Sequence, residues 1–280
     1  GDERPIQRLL DRIAHGVATG RAPDTVPTGF ASLDKVLAGG FRAGDLVLLA
    51  GEVASGKSAL ALAIALRVAR LGYPVAYLSA EMSEERLLER VVALEARVAV
   101  DDLRLGRLDA AAQGRVRAAA LALREVPFAP RTWTERLSAA ESLLLGLQPR
   151  LVVVDALERI DGDRAVADAA EELAVVARQC KALALSRDAT VLAVATVPGL
   201  APDRPDPRPT LDDLGGRGAL KQVADVVLAL YREEMYRPDS GVAGAAELLV
   251  RKNRNGGTGF VDLYFYAKWL RFEDMLDPEP

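Results

Sequence analysis

The chain has 280 residues, 50% of them hydrophobic, with 36 Lys and Arg against 40 Asp and Glu, a net charge of −4. This is a globular balance and not a disordered one, and a single cysteine, Cys180, excludes an internal disulfide framework. One histidine beside one cysteine argues against a structural zinc site, and the acidic total requires any nucleic-acid contact to use a local basic patch.

Ile6, Leu9, Leu10, Ile13 and Val17 recur at helical spacing, which predicts an amphipathic helix over 6–18 ending near Gly16 or Gly20. Residues 20–27 are rich in Gly, Pro and Asp and read as a linker. The continuous apolar run at 46–50, closed by Gly51, has the pattern of a buried strand. An Ala/Leu helix is predicted over 58–71, a strand over 75–79, and a helix over 83–98 with Ser83 as its cap. Residues 103–123 read as further helix and 138–146 as another. A third strand at 151–154 ends in Asp155. A helix over 165–185, a strand over 190–196 and a Pro- and Asp-rich loop over 199–209 follow. The remainder reads as a short helix at 218–222, a strand at 225–231, and a β pair at 247–252 and 261–265 around Asn255-Gly256-Gly257. This βαβα order predicts an α/β fold: a mostly parallel twisted sheet, helices on both faces, and a C-terminal β-hairpin. Charges interrupt every apolar stretch well before the ~20 residues of a bilayer helix, and the first eight residues lack a secretory core. No membrane partner and a cytoplasmic location are therefore expected. Gly1 in place of Met points to a chain that begins further upstream.

The sharpest local signal is Gly51, Glu52, Val53, Ala54, Ser55, Gly56, Lys57 and Ser58, followed by Ala59. It matches G-x-x-x-x-G-K-[ST] at every fixed position. Glycines let backbone amides wrap a phosphate chain, and the following helix adds its positive dipole end. Lys57 reaches the outer phosphates, and Ser58 offers a hydroxyl to Mg²⁺. The alternative is a Gly-rich turn with an incidental lysine; a strand before and a helix after oppose it. Asp155 ends an apolar strand, where ligands lie in such sheets, and can hold Mg²⁺ through its water shell. Glu81 also lies just past a strand. From position alone it serves equally well as a carboxylate orienting an attacking water or as an acid complementing a helix start.

Together these segments resemble the C-terminal motor domain of DnaB-type replicative helicases, within the RecA-like ATPases. The likeness also rests on Val26-Pro27-Thr28-Gly29-Phe30-Ala31-Ser32-Leu33-Asp34, Ala43-Gly44-Asp45-Leu46 and Ser79-Ala80-Glu81-Met82-Ser83. Arg208-Pro209-Thr210-Leu211-Asp212-Asp213-Leu214, Gln222-Val223-Ala224-Asp225-Val226-Val227 and Arg251-Lys252-Asn253-Arg254-Asn255-Gly256-Gly257-Thr258-Gly259 follow in the family's order. The resemblance implies an ATPase with ATP and Mg²⁺ as cofactors and Glu81 as catalytic base. It implies that Lys252 and Arg254 are offered to the ATP of a neighbouring subunit, with Arg254 as arginine finger. It further implies a hexameric ring, single-stranded DNA in its channel, and a primase or helicase loader as partner. The helix at 6–18 resembles the family's linker helix, which docks on the adjacent motor domain; packing on its own domain is the alternative. Residues 1–27 then form the linker, 28–275 the ATPase domain and 276–280 a tail.

Three departures stand out. The family pattern follows its metal-binding Asp with Tyr-Leu-Gln, where this chain has Ala156-Leu157-Glu158. It ends the next strand with Ser-Gln, where this chain has Ala195-Thr196. Asp213-Leu214-Gly215-Gly216-Arg217-Gly218 replaces D-L-R-E-S-G. DNA-contact candidates are Arg208, Arg217 and Lys221, joined by Arg204, Arg159 and Arg164, all interleaved with acids. A mixed solvated loop is the alternative. A recombination-type or clock-type ATPase and a non-hydrolysing scaffold paralogue share the same core and remain rivals. Tyr264, Phe265, Tyr266, Trp269 and Phe272 read as strand and core residues before a base-stacking platform, and Cys180 as a buried small apolar residue.

Overall fold

A computed structural model describes residues 4–20, 22–133, 136–144, 146–162, 166, 168–200 and 204–275. Nine strands form one sheet: β3 (Leu46–Gly51), β4 (Val75–Ser79), β5 (Phe128–Thr132), β6 (Leu151–Asp155), β7 (Thr190–Thr196), β8 (Val226–Tyr231), β9 (Ala245–Asn253), β10 (Gly259–Tyr266) and β11 (Arg271–Asp274). Two short strands, β1 (Thr25–Val26) and β2 (Phe41–Arg42), pair separately. The order across the large sheet is β11-β10-β9-β8-β3-β7-β6-β4-β5. Strands β8, β3, β7, β6, β4 and β5 are mutually parallel, and β9, β10 and β11 extend the sheet antiparallel from β8. The α/β expectation with a C-terminal antiparallel extension is met.

Strands β3, β4, β6 and β8 are buried at every residue, which only helices on both faces can achieve. On one face α3 (Lys57–Arg70) packs Leu60, Ile64 and Val68 against Val47, Leu49, Val153 and Leu228. On the other, α8 (Ala169–Arg187) packs Val176, Ala177, Cys180 and Ala184 against Leu46, Leu48, Val152 and Val191. Cys180 is fully buried, and burial pushes its thiol up to about 12, so it is inert packing.

The predicted continuous helix over 103–123 is broken. α5 (Val100–Arg104) stops before Gly106, whose φ of +68° is left-handed, and α6 (Ala110–Leu123) restarts at Asp109, which caps Ala112 N at 2.7 Å. Strand β5 escaped the sequence reading because Pro130 sits inside it. It is an edge strand, where a missing N–H costs no ladder bond on the open side.

Helix α1 (Arg4–Thr19) runs through Gly16 and buries none of its residues. Its stripe of Ile6, Leu9, Leu10, Ile13 and Val17 is 46–83% exposed. The stripe thus has no buried seat on its own domain among the described residues. Replacing Ile6, Leu9 and Ile13 with Ser is therefore expected to change unfolding free energy by less than about 0.5 kcal/mol each, the ordinary surface range. Urea denaturation of dilute protein measures this, and a markedly larger loss would place the stripe in the domain's own core.

Candidate nucleotide-binding site

The parallel strands deliver their C-terminal ends to one rim. β3 ends in Gly51, β4 leads to Glu81, β6 ends in Asp155, β7 ends in Thr196, and β8 leads to Arg232. A cleft of about 720 Å³ opens there, lined among others by Gly56, Lys57, Ser58, Glu81, Glu158 and Arg232.

Loop 52–56 folds tightly because of its glycines. Gly51 has no room for a Cβ, which would lie 2.8 Å from Ser55 Oγ. Gly56 adopts φ +100°, and a Cβ there would press on Phe272 at 3.1 Å. Phe272 in turn stacks on Phe265 at 4.5 Å, so two of the C-terminal aromatics serve as the loop's buttress. Ala54 also takes positive φ, at 64°. Ser55 Oγ is buried without a hydrogen-bond partner among the described residues, a polar atom suited to a phosphate oxygen.

Lys57 is the first residue of α3 and is 8% exposed. Its ammonium donates to Glu52 O at 2.6 Å. Burial pushes its pKa below the ordinary 10.5, opposed first by Glu158 and then by Asp155, Glu81 and Glu52. Ser58 Oγ donates to Asp155 Oδ1 at 3.0 Å, and Tyr77 OH donates to Asp155 Oδ2 at 2.7 Å. Asp155 is 1% exposed and burial raises its pKa. A hydroxyl and a carboxylate side by side are hard oxygen donors of the kind Mg²⁺ takes, so the residues fit that ion. Tyr77 was not foreseen; the signal was an aromatic on a neighbouring strand, Tyr77 pairing in register with Val153.

Glu81 lies two residues before Ser83, which caps α4 (Glu84–Ala96), so it is outside the helix's first turn. Its carboxylate accepts from Arg159 Nε at 3.1 Å across the cleft. Of the two positional alternatives the geometry favours the cleft. Arg159, grouped by sequence with the DNA-facing cations, instead lines this site.

Two departures from the family pattern meet here. The Glu158 carboxylate accepts a hydrogen bond from Thr196 N, and burial raises its pKa. Arg232, also unforeseen, reaches Ala54 O and Ser55 O at 3.4 Å and lies 4.5 Å over the Phe265 ring. The rule that placed Asp155, a side chain just past the C-terminal end of a parallel strand, would have found it. Glu52 accepts from Leu200 N at 2.9 Å and from Tyr236 OH, tying the loop to the segments after β7 and β8.

Lys252 and Arg254 are not at this rim. Val226 pairs with both Asn253 and Val47, so Arg254 sits beside the first residues of β3. At ~3.3 Å per residue that is roughly 17 Å from Gly51 along the strand. Among the described side chains, the DNA candidates Arg204, Arg208 and Lys221 are paired within the chain. Arg208 donates to Glu247 through Nε and Nη2, at 2.7 and 2.5 Å, and Lys221 bonds Asp212 at 2.6 Å. Arg204 bonds Asp213 at 2.7 Å. Arg217 occupies a short 3₁₀ turn, Gly216–Gly218, with its side chain outside the described residues, as is Arg164.

The family model for the DnaB-like helicase C terminal domain matches residues 25–274. A replicative DNA helicase DnaB of Leifsonia xyli subsp. xyli is 33% identical over 259 residues, covering 89% of this chain and 56% of the relative. The chain thus spans about half the length of the curated relatives it matches. A solved ATPase domain of G40P superposes with TM-score 0.86 at 23% identity, over 96% of this chain and 98% of that one. A DnaB-like replicative helicase, solved in work on its interactions with primase, gives 0.85 at 22% identity over 98% and 67%. These two likenesses are of fold.

The buried ammonium yields a stability prediction. Lys57 has a folded pKa below its unfolded one, so the unfolded state binds more protons between the lowered value and 10.5, and stability rises with pH across that window. Lys57→Met removes the cost of burying the charge. It is expected to match or exceed the parent in thermal midpoint near neutral pH while losing phosphate-chain binding, with the stability gap narrowing toward pH 10.5. Calorimetry across pH reads this; a lower midpoint at all pH values would refute it.

Proposed function

The chain belongs to the DnaB-like helicase C-terminal domain family, and from that premise we propose that it is an ATP-hydrolysing motor domain that moves single-stranded DNA and unwinds duplex during replication. The observation that carries this reading is the gathering of Lys57, Ser58, Asp155 and Glu81 in one cleft. Backbone amides of loop 52–56 and Lys57 bind the β- and γ-phosphates of ATP. Ser58 and Asp155 would hold Mg²⁺, which would supply positive charge against the phosphate chain. Glu81 orients and deprotonates the attacking water, with Arg159 fixing its carboxylate. The apolar lining of the cleft, Leu270 and the Phe265 ring beneath the Arg232 guanidinium, suits a nucleobase.

Transition-state charge at this rim lacks Arg254, which stands at the far end of β3 and β8. That distance supports a finger acting in trans, with Lys252 beside it, and therefore ATP sites between subunits of a ring, hexameric by the family's pattern. Residues 28–275 form the motor. Helix α1, whose exposed stripe has no seat on its own domain, is the linker element that docks on a neighbour. A primase or loader partner and a cytoplasmic location follow from the replicative reading.

One observation favours a second reading, a nucleotide-dependent DNA-binding or scaffold protein that does not unwind. Arg204, Arg208 and Lys221 already hold carboxylates, and Thr196 stands where the family pattern has Gln. ATPase assays with and without single-stranded DNA decide between them. The motor reading expects strong stimulation, loss of turnover in Lys57→Ala, and a roughly 10²–10⁴-fold fall in Glu81→Gln with ATP binding retained. Binding without turnover, unchanged in Glu81→Gln, would establish the scaffold instead.

A further inference from the structure

Arg254 does not lie loose on the β9–β10 turn. Its Nη1 donates to Asp225 Oδ1 at 2.8 Å, its Nη2 to Gln222 O at 2.8 Å, and its backbone N to Asp225 O at 2.9 Å. Lys252 Nζ donates to Lys221 O and Ala224 O, each at 2.6 Å, and reaches Gln222 O at 3.4 Å. Both cations therefore grip one short segment, the end of α9 (Ala219–Val223) and the two residues after it.

Asp225 is the fixed point of that segment. Its side chain is 5% exposed, whereas that of Arg254 is 51% exposed. Its other oxygen, Oδ2, accepts from Leu46 N at 2.8 Å and from Lys181 Nζ at 2.6 Å. Lys181, on α8, also donates to Gly44 O at 2.7 Å. One carboxylate oxygen is thus locked to the first residue of β3 and to a helix packed on the sheet, and the other faces outward onto a guanidinium. A buried carboxylate so divided has little rotational freedom, and a charge-assisted bond to it restricts the long arginine side chain. Burial of this kind is costly for a carboxylate unless each oxygen is satisfied, and here each is.

We propose that Asp225 is a positioning residue for Arg254: it holds the guanidinium in the direction from which it enters the neighbouring subunit's ATP cleft. Asp225 touches neither nucleotide nor DNA and acts only through Arg254. This rests on the trans reading of Arg254 above. Because Lys221, on the same segment, pairs with Asp212 in the loop ahead of α9, the finger's seat is also contiguous with the stretch that carries the DNA candidates.

Mixed rings test this with a readout that a merely structural role would not move. Arg254→Ala subunits have an intact cleft, and Glu81→Gln subunits have an intact finger, so mixing the two regains turnover where they adjoin. Adding Asp225→Asn to the Glu81→Gln subunit, the one that supplies the finger, is expected to lower the regained turnover by on the order of 10- to 100-fold, the scale of a small misplacement of a reacting group. Adding it to the Arg254→Ala subunit, whose finger is already gone, is expected to leave the regained turnover within about twofold, since no positioning is left to lose there. Equal loss in both placements makes Asp225 a residue of the fold alone and overturns the proposal, as does no loss in either. Failure of the parent pair to regain turnover, seen before Asp225→Asn enters, removes the trans reading and this proposal together, and so is distinguishable from failure of the proposal by itself.

Discussion

One buried ammonium organises the cleft. Lys57 is almost sealed from water, and among the described residues its ammonium donates to the Glu52 carbonyl. Of the charges that most favour its charged form, Asp155 is buried and Glu158 is exposed at the cleft, and loss of water raises the pKa of both. Each carboxylate lowers the cost of the lysine's charge, and the lysine lowers the cost of theirs, yet the net shifts show that burial wins for all three. A fold selected for stability alone would not gather them. An anion brought into this cleft would meet a desolvated cation and a loop whose Ser55 hydroxyl has no partner among the described residues. The cost of burying Lys57 and its suitability for a phosphate chain therefore have the same source.

The sequence displayed those parts of the site that are contiguous in the chain. Residues 51–58 specify their own turn, because Gly51 and Gly56 sit where any Cβ collides, and the flanking apolar runs specify strand and helix. Asp155 was legible because an acid ending an apolar strand has one place to go in a parallel sheet. Arg232, just past the end of β8, was open to the same rule; Tyr77 and Glu158 were not, since their roles depend on which strands neighbour one another, and the order β8-β3-β7-β6-β4 is not written in any local pattern. The cations of the 204–221 region illustrate the converse. In sequence Arg208 looks free, but it is joined across 39 residues to Glu247 and stacked 4.8 Å over Tyr231. Strand β5 and the break at 106–109 were missed for local reasons, a proline on an edge and a left-handed glycine inside an otherwise helical composition.

The departures from the family pattern are physically linked. Glu158 and Thr196 occupy positions where that pattern carries glutamine, and here the carboxylate of one takes the amide hydrogen of the other. Threonine at 196 leaves the contact to its backbone N–H, and the carboxylate that accepts it belongs to Glu158. The cleft thus keeps a polar link between the ends of β6 and β7 while changing its charge. The net charge of −4 is consistent with the same tendency in the loop, where Asp213, Glu247 and Asp212 neutralise Arg204, Arg208 and Lys221. Any grip on DNA phosphates by these residues has to compete with bonds already made, and such exchange is steeply salt-dependent.

Chemical completeness is where the geometry ends. Strand β3 has two functional ends: Gly51 opens the phosphate loop, and Leu46 anchors Asp225, which holds Arg254. The strand is rigid and buried at every residue, so the two ends cannot approach within one chain. On the proposed trans reading, a guanidinium held at one end and a phosphate cradle at the other would meet between copies placed head to tail. Such a heterologous contact closes into a ring when its rotation divides a full turn. Helix α1 leads to the same arrangement by a different route, since its exposed apolar stripe asks for a surface that its own domain does not offer. The polarity of the parallel sheet sets the separation, sending Gly51, Asp155 and Thr196 to one rim and placing Arg254 beside the other.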